Sequence, residues 1–275
     1  MNKFKLLFKG FFMGIANVIP GVSSGTLAIV FGIYEDLLDV IGNFFGNFKK
    51  NIAFLLPICI GIGLAIIGGS VVIEKCLDSY TLPTVLFFAG LIVGGIPMLY
   101  QKIKKEQKFS NWIFFLLTFV LVIGLNFFSG FGDVSFIKMD IMSYIMLALV
   151  GGIAAGTMIV PGISGSLVLM ILGYYEPIIE IINEFIRFEN LWDNFLILVP
   201  FGIGVLLGLV VFAKGVKYLI NKYEVKSYFA ILGFVISSLI TIFILFDNFE
   251  FNLVHIILSV VTFSVGTLIS LKFGD

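Results

Sequence analysis

The sequence predicts an all-α polytopic membrane protein made of two inverted-topology repeats, each a re-entrant helical hairpin followed by three transmembrane helices. Three observations lead to this fold class. The composition is 60% hydrophobic and only 12% charged, with a mean hydropathy of +1.14, whereas soluble domains have about 45–50% apolar and about 25% charged residues. One long motif occurs twice, and the basic residues are distributed unevenly between the loops. A soluble globular domain is therefore excluded.

The duplicated motif opens each half of the chain. Residues 20–35 read PGVSSGTLAIVFGIYE, and residues 161–176 read PGISGSLVLMILGYYE. Pro and Gly end a preceding helix, and Ser is a good N-cap for the next one. The apolar run from Val22 to Tyr34 would form a helix of about 20 Å, which is too short for a hydrocarbon layer of about 30 Å. The pattern therefore predicts a helical hairpin that enters the membrane and turns back at Pro-Gly.

Apolar runs follow each hairpin in the same order, which predicts one integral membrane domain with two homologous halves. The first half, residues 1–140, has a hairpin at about 6–34 and transmembrane helices at about 52–73, 83–101 and 111–128. The second half, residues 141–275, has a hairpin at about 144–175 and transmembrane helices at about 195–213, 227–246 and 253–271. Matching landmarks in these runs keep an offset of 143 residues, as in Pro57 with Pro200, Gly61 with Gly204 and Gly90 with Gly233.

The distribution of Lys and Arg favours re-entrant hairpins. If each hairpin leaves the membrane on the side it entered, only Lys75, Lys138 and Arg187 of the 17 basic residues fall outside the cytoplasmic segments. If each hairpin were one continuous span, the basic residues would divide almost evenly, so the positive-inside rule favours re-entry. Three crossings in each half then place the second half upside down, with both hairpin tips near the midplane, as in secondary transporters built from inverted repeats.

The two motifs also carry a family resemblance. ANVIPGVSSGTLAIVFGIYE at residues 16–35 and GTMIVPGISGSLVLMILGYYE at residues 156–176 resemble the two signature segments of the polyprenyl-phosphate (undecaprenyl-phosphate) transporter family, formerly a family of unknown function. The resemblance extends over essentially the whole chain, because the length and the spacing of the motifs fit as well. It implies translocation of undecaprenyl phosphate across a membrane.

The hairpin tips are the predicted substrate-binding site. A helix that begins just after Pro-Gly leaves its first N–H groups without intrahelical partners, and an anion such as phosphate fits such an end. Glycines let an oxyanion approach the backbone, hydroxyls donate hydrogen bonds, and a nearby amide adds a further polar group. The candidate residues are Asn17, Pro20, Gly21, Ser23, Ser24, Gly25, Thr26, Pro161, Gly162, Ser164, Gly165 and Ser166. The alternative is that the motifs only form tight turns between helices, with serines that cap their own backbones.

Two acidic residues are candidates for coupling transport to protons. Glu35 and Glu176 end the two motifs, and each is expected to close its short helix at the membrane border. An acid in this position can titrate as phosphate passes. The competing interpretation is that each Tyr-Glu pair is an interfacial anchor with a solvated charge.

Three functions are compatible with these residues. The resemblance favours a flippase that returns undecaprenyl phosphate across the cytoplasmic membrane for reuse in envelope synthesis. An exporter or channel for a small anion is the alternative. A lipid-diphosphate phosphatase is less favoured, because such an enzyme needs Arg, His or acidic groups around the diphosphate, and the hairpins contain no Arg or His.

The remaining expectations concern partners and location. We expect no catalytic residue, metal or cofactor, because the two cysteines lie at separate places in one apolar run and a single His cannot build a metal site. The formal net charge is zero, which does not support binding of nucleic acid. The expected partners are a polyprenyl-phosphate lipid and the membrane lipid, and the oligomeric state is left open. The expected location is the bacterial cytoplasmic membrane, with several crossings and both termini in the cytoplasm.

Overall fold

All regular structure in the described part of the chain is helical. The computed structural model describes residues 2–19, 21–104, 106–128, 130, 132, 134, 136, 139–246 and 249–274. Pro20 and Lys138, which enter the expectations above, lie outside these residues. The helices of the first half are α1 (Lys3–Val18), α2 (Ser24–Val30), α3 (Tyr34–Gly42), α4 (Phe48–Leu64), α5 (Ser70–Ser79), α6 (Thr81–Ile103) and α7 (Phe109–Leu125).

The second half repeats this order of short and long helices. Its helices are α8 (Ile141–Ile159), α9 (Gly165–Ile171), α10 (Tyr175–Ile186), α11 (Leu191–Lys222), α12 (Glu224–Leu245) and α13 (Leu253–Phe273). A π turn at Ala65–Gly69 joins α4 to α5, so that these two helices form one segment of 32 residues, Phe48–Ser79. The corresponding helix of the second half, α11, has no such interruption.

Several helices are long and apolar enough to cross a bilayer, so the protein is a multi-pass membrane protein. Among the described residues there are six of them, namely Phe48–Ser79, α6, α8, α11, α12 and α13. The 17 residues of α7 are apolar but shorter. Helix α8 has 19 residues and is long enough to cross, so helix length does not decide whether the second hairpin re-enters. The pair α9 and α10 bends by 112°.

The prediction of one continuous helix after each Pro-Gly is wrong. The helices that follow, α2 and α9, have only seven residues each. Gly32 has φ +67° and Gly173 has φ +75°, a left-handed conformation that ends a helix and that glycine adopts without strain. The following N–H groups bond back into the helix in the same way, Ile33 to Ala28 at 3.0 Å and Tyr174 to Leu169 at 2.9 Å. Each motif therefore holds a short helix, a glycine stop and the start of another helix.

The main helix pairs occur in equivalent sets. Helix α1 packs along α4 as α8 packs along α11, and α6 packs along α13 as α12 packs along α7. The close contacts also correspond, since a side chain at Gly61 would collide with the carbonyl of Leu7, and one at Gly204 with the carbonyl of Ala148. Glycine at these sites lets the backbones approach closely. The pairs α6–α13 and α7–α12 join one helix of each half, whereas α1–α4 and α8–α11 lie within one half.

The equivalent helices α6 and α12 run in opposite directions. Lys102 near the end of α6 lies 5.1 Å from the ring centroid of Tyr228 near the start of α12. An antiparallel arrangement of equivalent helices is what an inverted repeat requires, and the fold is consistent with that prediction. Large apolar side chains cover much of the outer surface, Ile67 and Leu206 among them at 83% and 66% exposure. These faces suit lipid.

Candidate functional site

The two Pro-Gly tips touch each other. We call residues 21–26 the first tip and residues 161–166 the second tip. The backbone N–H of Gly162 donates a hydrogen bond of 2.9 Å to Thr26 Oγ1, across 136 positions of sequence. Next to it, the Tyr34 hydroxyl donates to the carbonyl of Ile159 at 3.0 Å. Residues that the duplicated motif contributes from both halves therefore form one polar contact.

The tips have the same backbone conformation. Gly21 and Gly162 have φ of +83° and +76°, the turn conformation that favours glycine. Ser23 and Ser164 are both the N-cap residue of the following helix with φ −95° and ψ 132°, and neither side chain makes a capping hydrogen bond. The alternative in which the serines cap their own helices is not supported at these two positions.

The exposure of the polar groups differs between the tips. At the first tip Thr26 is 0% and Ser23 is 6% exposed, and Ser24 is half-buried. At the second tip Ser164 is half-buried and Ser166 is exposed, with their hydroxyl oxygens 2.6 Å apart. The first tip is closed inside the protein, and the second is open.

The remaining candidates fall into different places. Gly25 and Pro161 are buried at the two tips, and a Cβ on Gly25 would lie 3.2 Å from the carbonyl oxygen of Met158. Gly165 is buried at the start of α9. Asn17 is exposed on α1 and lies outside the buried contact. Pro20 lies outside the described residues.

The two short helices are also packed differently. Helix α2 is buried at every residue after Ser24 and contacts α1, α3, α6, α8 and α12. Helix α9 is buried only at Gly165 and packs mainly against α8 and α10. The same motif is thus part of the core in one copy and peripheral in the other.

A buried lysine at the base of the first hairpin was missed by the sequence analysis, which counts it among cytoplasmic charges. Lys9 on α1 is 2% exposed, and its ammonium group donates a hydrogen bond to the carbonyl of Phe31. Phe31 is the C-cap residue of α2, where a cation is favoured by the free carbonyls. A cation therefore stabilises the end of the helix that begins at the first tip.

Glu35 belongs to a charged cluster and does not end a short helix as expected. It lies in the first turn of α3. Its carboxylate accepts a hydrogen bond from the Tyr228 hydroxyl and lies 3.6 Å from Lys102 Nζ and 3.5 Å from Lys217 Nζ. Lys217 also pairs with Asp39 at 2.9 Å. This cluster, which we call the Glu35 cluster, connects α3 to α6, α11 and α12.

The cluster keeps Glu35 ionised at neutral pH. Burial alone would raise the pKa of this carboxyl, but the Tyr228 hydroxyl and the Lys102 and Lys217 ammonium groups outweigh burial and hold the pKa below its usual value. A lowered pKa disfavours proton exchange near neutral pH. Glu176, also expected to end a helix, is instead an exposed residue in the first turn of α10.

An apolar cavity extends from the second tip to a lysine near the start of α12. We call it the Lys226 cavity. It has a volume of about 480 Å³ and is lined mainly by the end of α11 and the start of α12. Pro161 of the second tip, with the adjacent Val160 and with Tyr34, lies at one part of its wall, and Tyr223, Lys226 and Ser227 lie at another. Volumes of this order suit an organic ligand.

Fold and site together define a class, namely helical multi-pass membrane proteins in which two copies of one motif meet inside the bundle. A family model described as VCA0040-like, undecaprenyl phosphate translocase-like, matches residues 13–255. The chain belongs to this family.

Two relatives resemble the chain over most of its length. The polyprenyl-phosphate transporter of Staphylococcus aureus (strain NCTC 8325 / PS 47) is 31% identical over 283 residues, covering 100% of this chain and 98% of the relative. The polyprenyl-phosphate transporter of Vibrio cholerae serotype O1 (strain ATCC 39315 / El Tor Inaba N16961) is 28% identical over 253 residues, covering 87% and 77%. Both are named as transporters, which agrees with the prediction that the protein is not an enzyme. No solved structure matches the chain.

Proposed function

We propose that the protein is a lipid-carrier flippase that moves undecaprenyl phosphate across the bacterial cytoplasmic membrane for reuse in cell-envelope synthesis. Membership of the family and two relatives named polyprenyl-phosphate transporter support the substrate class. The observation that carries the proposal is the hydrogen bond between Gly162 N–H and Thr26 Oγ1. It brings both copies of the motif to one place, as a single substrate site shared by two repeats requires.

In this proposal the phosphate binds at the tips through hydroxyl and N–H donors. The seven-residue helices α2 and α9 have few aligned peptide units, so the macrodipole expected from a longer helix contributes less. Ser23, Ser24, Ser164 and Ser166 offer the main side-chain donors. Gly162 N–H becomes available when the phosphate replaces the Thr26 hydroxyl as its acceptor. Binding through neutral donors suits a substrate that must leave again.

A small-anion channel is the competing function, and the Lys226 cavity favours a lipid instead. Most of the residues that line it are apolar, and Lys226 is the one cation among them. A path for a small inorganic anion would need polar groups along its length, because an unpaired charge is costly in an apolar environment. An isoprenoid chain matches the apolar wall.

The experiment that tests this function is transport by purified protein in liposomes that contain a fluorescent polyprenyl phosphate. The variant with Ala at Ser23, Ser24, Ser164 and Ser166 should fold normally and transport slowly, because each lost hydrogen bond weakens phosphate binding by about 0.5–1.5 kcal/mol, roughly two- to tenfold per serine. Ser264→Ala is the control, since this exposed hydroxyl bonds within α13. Wild-type transport by the quadruple variant would show that the tip serines do not bind the phosphate and have a structural role only.

The orientation of the chain is a further part of the proposal. With both termini in the cytoplasm, single cysteines replacing Lys104 and Lys222 should react with an impermeant maleimide only from the cytoplasmic side. A cysteine replacing Glu184 on α10 should react only from outside. Labelling of the Glu184 position from the cytoplasm would contradict the inverted arrangement.

A further inference from the structure

A second cavity lies at the place in the first half that is equivalent to the Lys226 cavity in the second half. We call it the Tyr80 groove. It has a volume of about 290 Å³ and is formed by α5, α6 and α13. The Lys226 cavity is formed mainly by α11 and α12, with Phe114 of α7. In the two repeats α5 is equivalent to the end of α11, α6 is equivalent to α12, and α13 is equivalent to α7. The two cavities are therefore lined by equivalent helices.

The correspondence holds residue by residue. Seven of the nine residues that line the Tyr80 groove lie 143 positions before a residue that lines the Lys226 cavity. This is the offset that relates Pro57 to Pro200 and Gly61 to Gly204 in the sequence. The equivalent residues around the starts of α6 and α12 are Tyr80 with Tyr223, Pro83 with Lys226, and Thr84 with Ser227. A chance similarity of two surface hollows would not preserve one offset through the turn and both helices.

The two cavities lie at opposite ends of the helix bundle. The Tyr80 groove is at the start of α6, whereas the Lys226 cavity is at the start of α12. These helices are antiparallel, because Lys102 at the end of α6 lies over the ring of Tyr228 at the start of α12. In a membrane, each cavity therefore faces a different leaflet.

We propose that the Tyr80 groove and the Lys226 cavity are a pair of equivalent sites for the chain of a phosphate-headed isoprenoid lipid, one site in each leaflet. This inference rests on the proposed function and adds to the phosphate site at the tips two places that hold the lipid before and after translocation. Each cavity has hydroxyl groups at the helix start and apolar side chains one turn farther on, Phe87 and Phe88 in one and Ala230 and Ile231 in the other. A lipid in a leaflet has the same polarity, with its head at the interface and its chain inward.

Among the described residues that line the two sites, a basic side chain, Lys226, is present at one of them. Lys226 Nζ lies 5.6 Å from the ring centroids of Phe114 and Tyr223, which also line the cavity, so its exposed ammonium group is available to a phosphate. The equivalent position in the groove is Pro83. The Lys226 site should therefore prefer the phosphorylated lipid over the alcohol, and the Tyr80 site should discriminate less.

The sizes of the two sites also differ. Phe87 in the groove corresponds to Ala230 in the cavity, and this larger side chain takes up space in the smaller site. The cavity additionally reaches Pro161 of the second tip. In this conformation the Lys226 site is the one connected to a tip.

Protection of equivalent cysteines from alkylation tests the proposal. Cys76 lines the groove and is equivalent to Leu219 in the cavity. The first protein carries Cys59→Ser, and the second carries Cys59→Ser, Cys76→Ser and Leu219→Cys. The control carries Leu206→Cys in place of Leu219→Cys, on the same helix at an outward position with 66% exposure. Each protein in lipid nanodiscs is treated with N-ethylmaleimide in the presence of geranylgeranyl phosphate, geranylgeraniol, dioleoyl phosphatidic acid or inorganic phosphate.

Geranylgeranyl phosphate at about ten times its half-saturating concentration should slow alkylation of both Cys76 and Leu219→Cys about tenfold, because only free protein reacts. The control should be unaffected, and inorganic phosphate should protect neither site. Adding Lys226→Gln should reduce protection at Leu219→Cys to that given by geranylgeraniol and leave Cys76 unchanged. Protection at one site only, equal protection of the control, or equal protection by phosphatidic acid would overturn the proposal.

Transport measured on the same proteins separates this inference from the proposed function. Transport without protection of the cysteines would overturn the paired chain sites and leave the flippase function standing. Protection of both cysteines without transport would support the sites and contradict the flippase function.

Discussion

Gly162→Val should abolish transport and lower the stability of the protein, whereas Gly21→Val should have the smaller effect on stability. Both glycines have positive φ, a conformation that costs a β-branched residue about 1–3 kcal/mol. At Gly162 a Cβ would also collide with the backbone carbonyl of Phe234, which cannot move without moving α12. At Gly21 the nearest atom to a Cβ is the end of the Leu245 side chain at 2.9 Å, which can rotate away.

Thermal unfolding and liposome transport measured on both variants check this expectation. Gly202→Ala is the control, because a Cβ there would meet no heavy atom of the described residues within 4 Å apart from the adjacent backbone of its own helix. From the sequence alone, equivalent glycines in equivalent tips should fail to similar degrees. The packing around the two glycines differs, so we expect the substitution at Gly162 to lower stability more than the substitution at Gly21. Wild-type stability of Gly162→Val would show that the contact between the second tip and α12 is not maintained in the membrane.

Thr26→Val should break the hydrogen bond between the two tips without leaving a cavity in the core. Valine has nearly the shape of threonine but cannot accept the hydrogen bond from Gly162 N–H, and the loss of such a bond costs about 1 kcal/mol. The amide of Gly162 should then exchange with deuterium roughly fivefold faster, and transport should change because the contact between the repeats is weakened. Thr26→Ser keeps the oxygen and should keep the slow exchange.

Hydrogen exchange of a peptide that contains Gly162 measures the effect directly. The serine variant also removes a methyl group from a fully buried position, so its global stability falls by about 1 kcal/mol. A protein in which both variants exchange alike at Gly162 would have no functional hydrogen bond between the tips.

The class of fold follows from the sequence because it depends on properties summed over long segments. The charge and hydropathy of whole apolar runs identify a multi-pass helical membrane protein, and the repeated Pro-Gly motif identifies its family. Helix length inside the motif does not follow from hydropathy. Gly32 lies within an apolar run, and its left-handed conformation marks the end of α2.

The details of the candidate site depend on contacts that are distant in sequence. Glu35 pairs with Lys102 and Lys217, and no local pattern links these three residues. A count of charges places Lys9 with the cytoplasmic residues, because it does not show which side chains fold back into the protein. Tyr34 recurs in the motif as Tyr175, and this repetition was the available signal that its hydroxyl has a structural partner. The unequal burial of α2 and α9 cannot be read from two similar sequences, because it depends on neighbouring helices.

The π turn at Ala65–Gly69 determines the direction in which the side chains of α5 face around the helix axis. It holds one residue more than an α-helical turn, so converting it to α geometry, as deletion of Gly68 would do, rotates α5 by about 100° and moves it about 1.5 Å along its axis. Ile73 and Cys76 on α5 would then turn away from the Tyr80 groove that they line. Helix α11 runs from Leu191 to Lys222 without such a turn, so Val216 and Leu219 keep their orientation in the Lys226 cavity. The wall of the Tyr80 groove is therefore oriented by a π turn, whereas the wall of the Lys226 cavity is oriented by an uninterrupted helix.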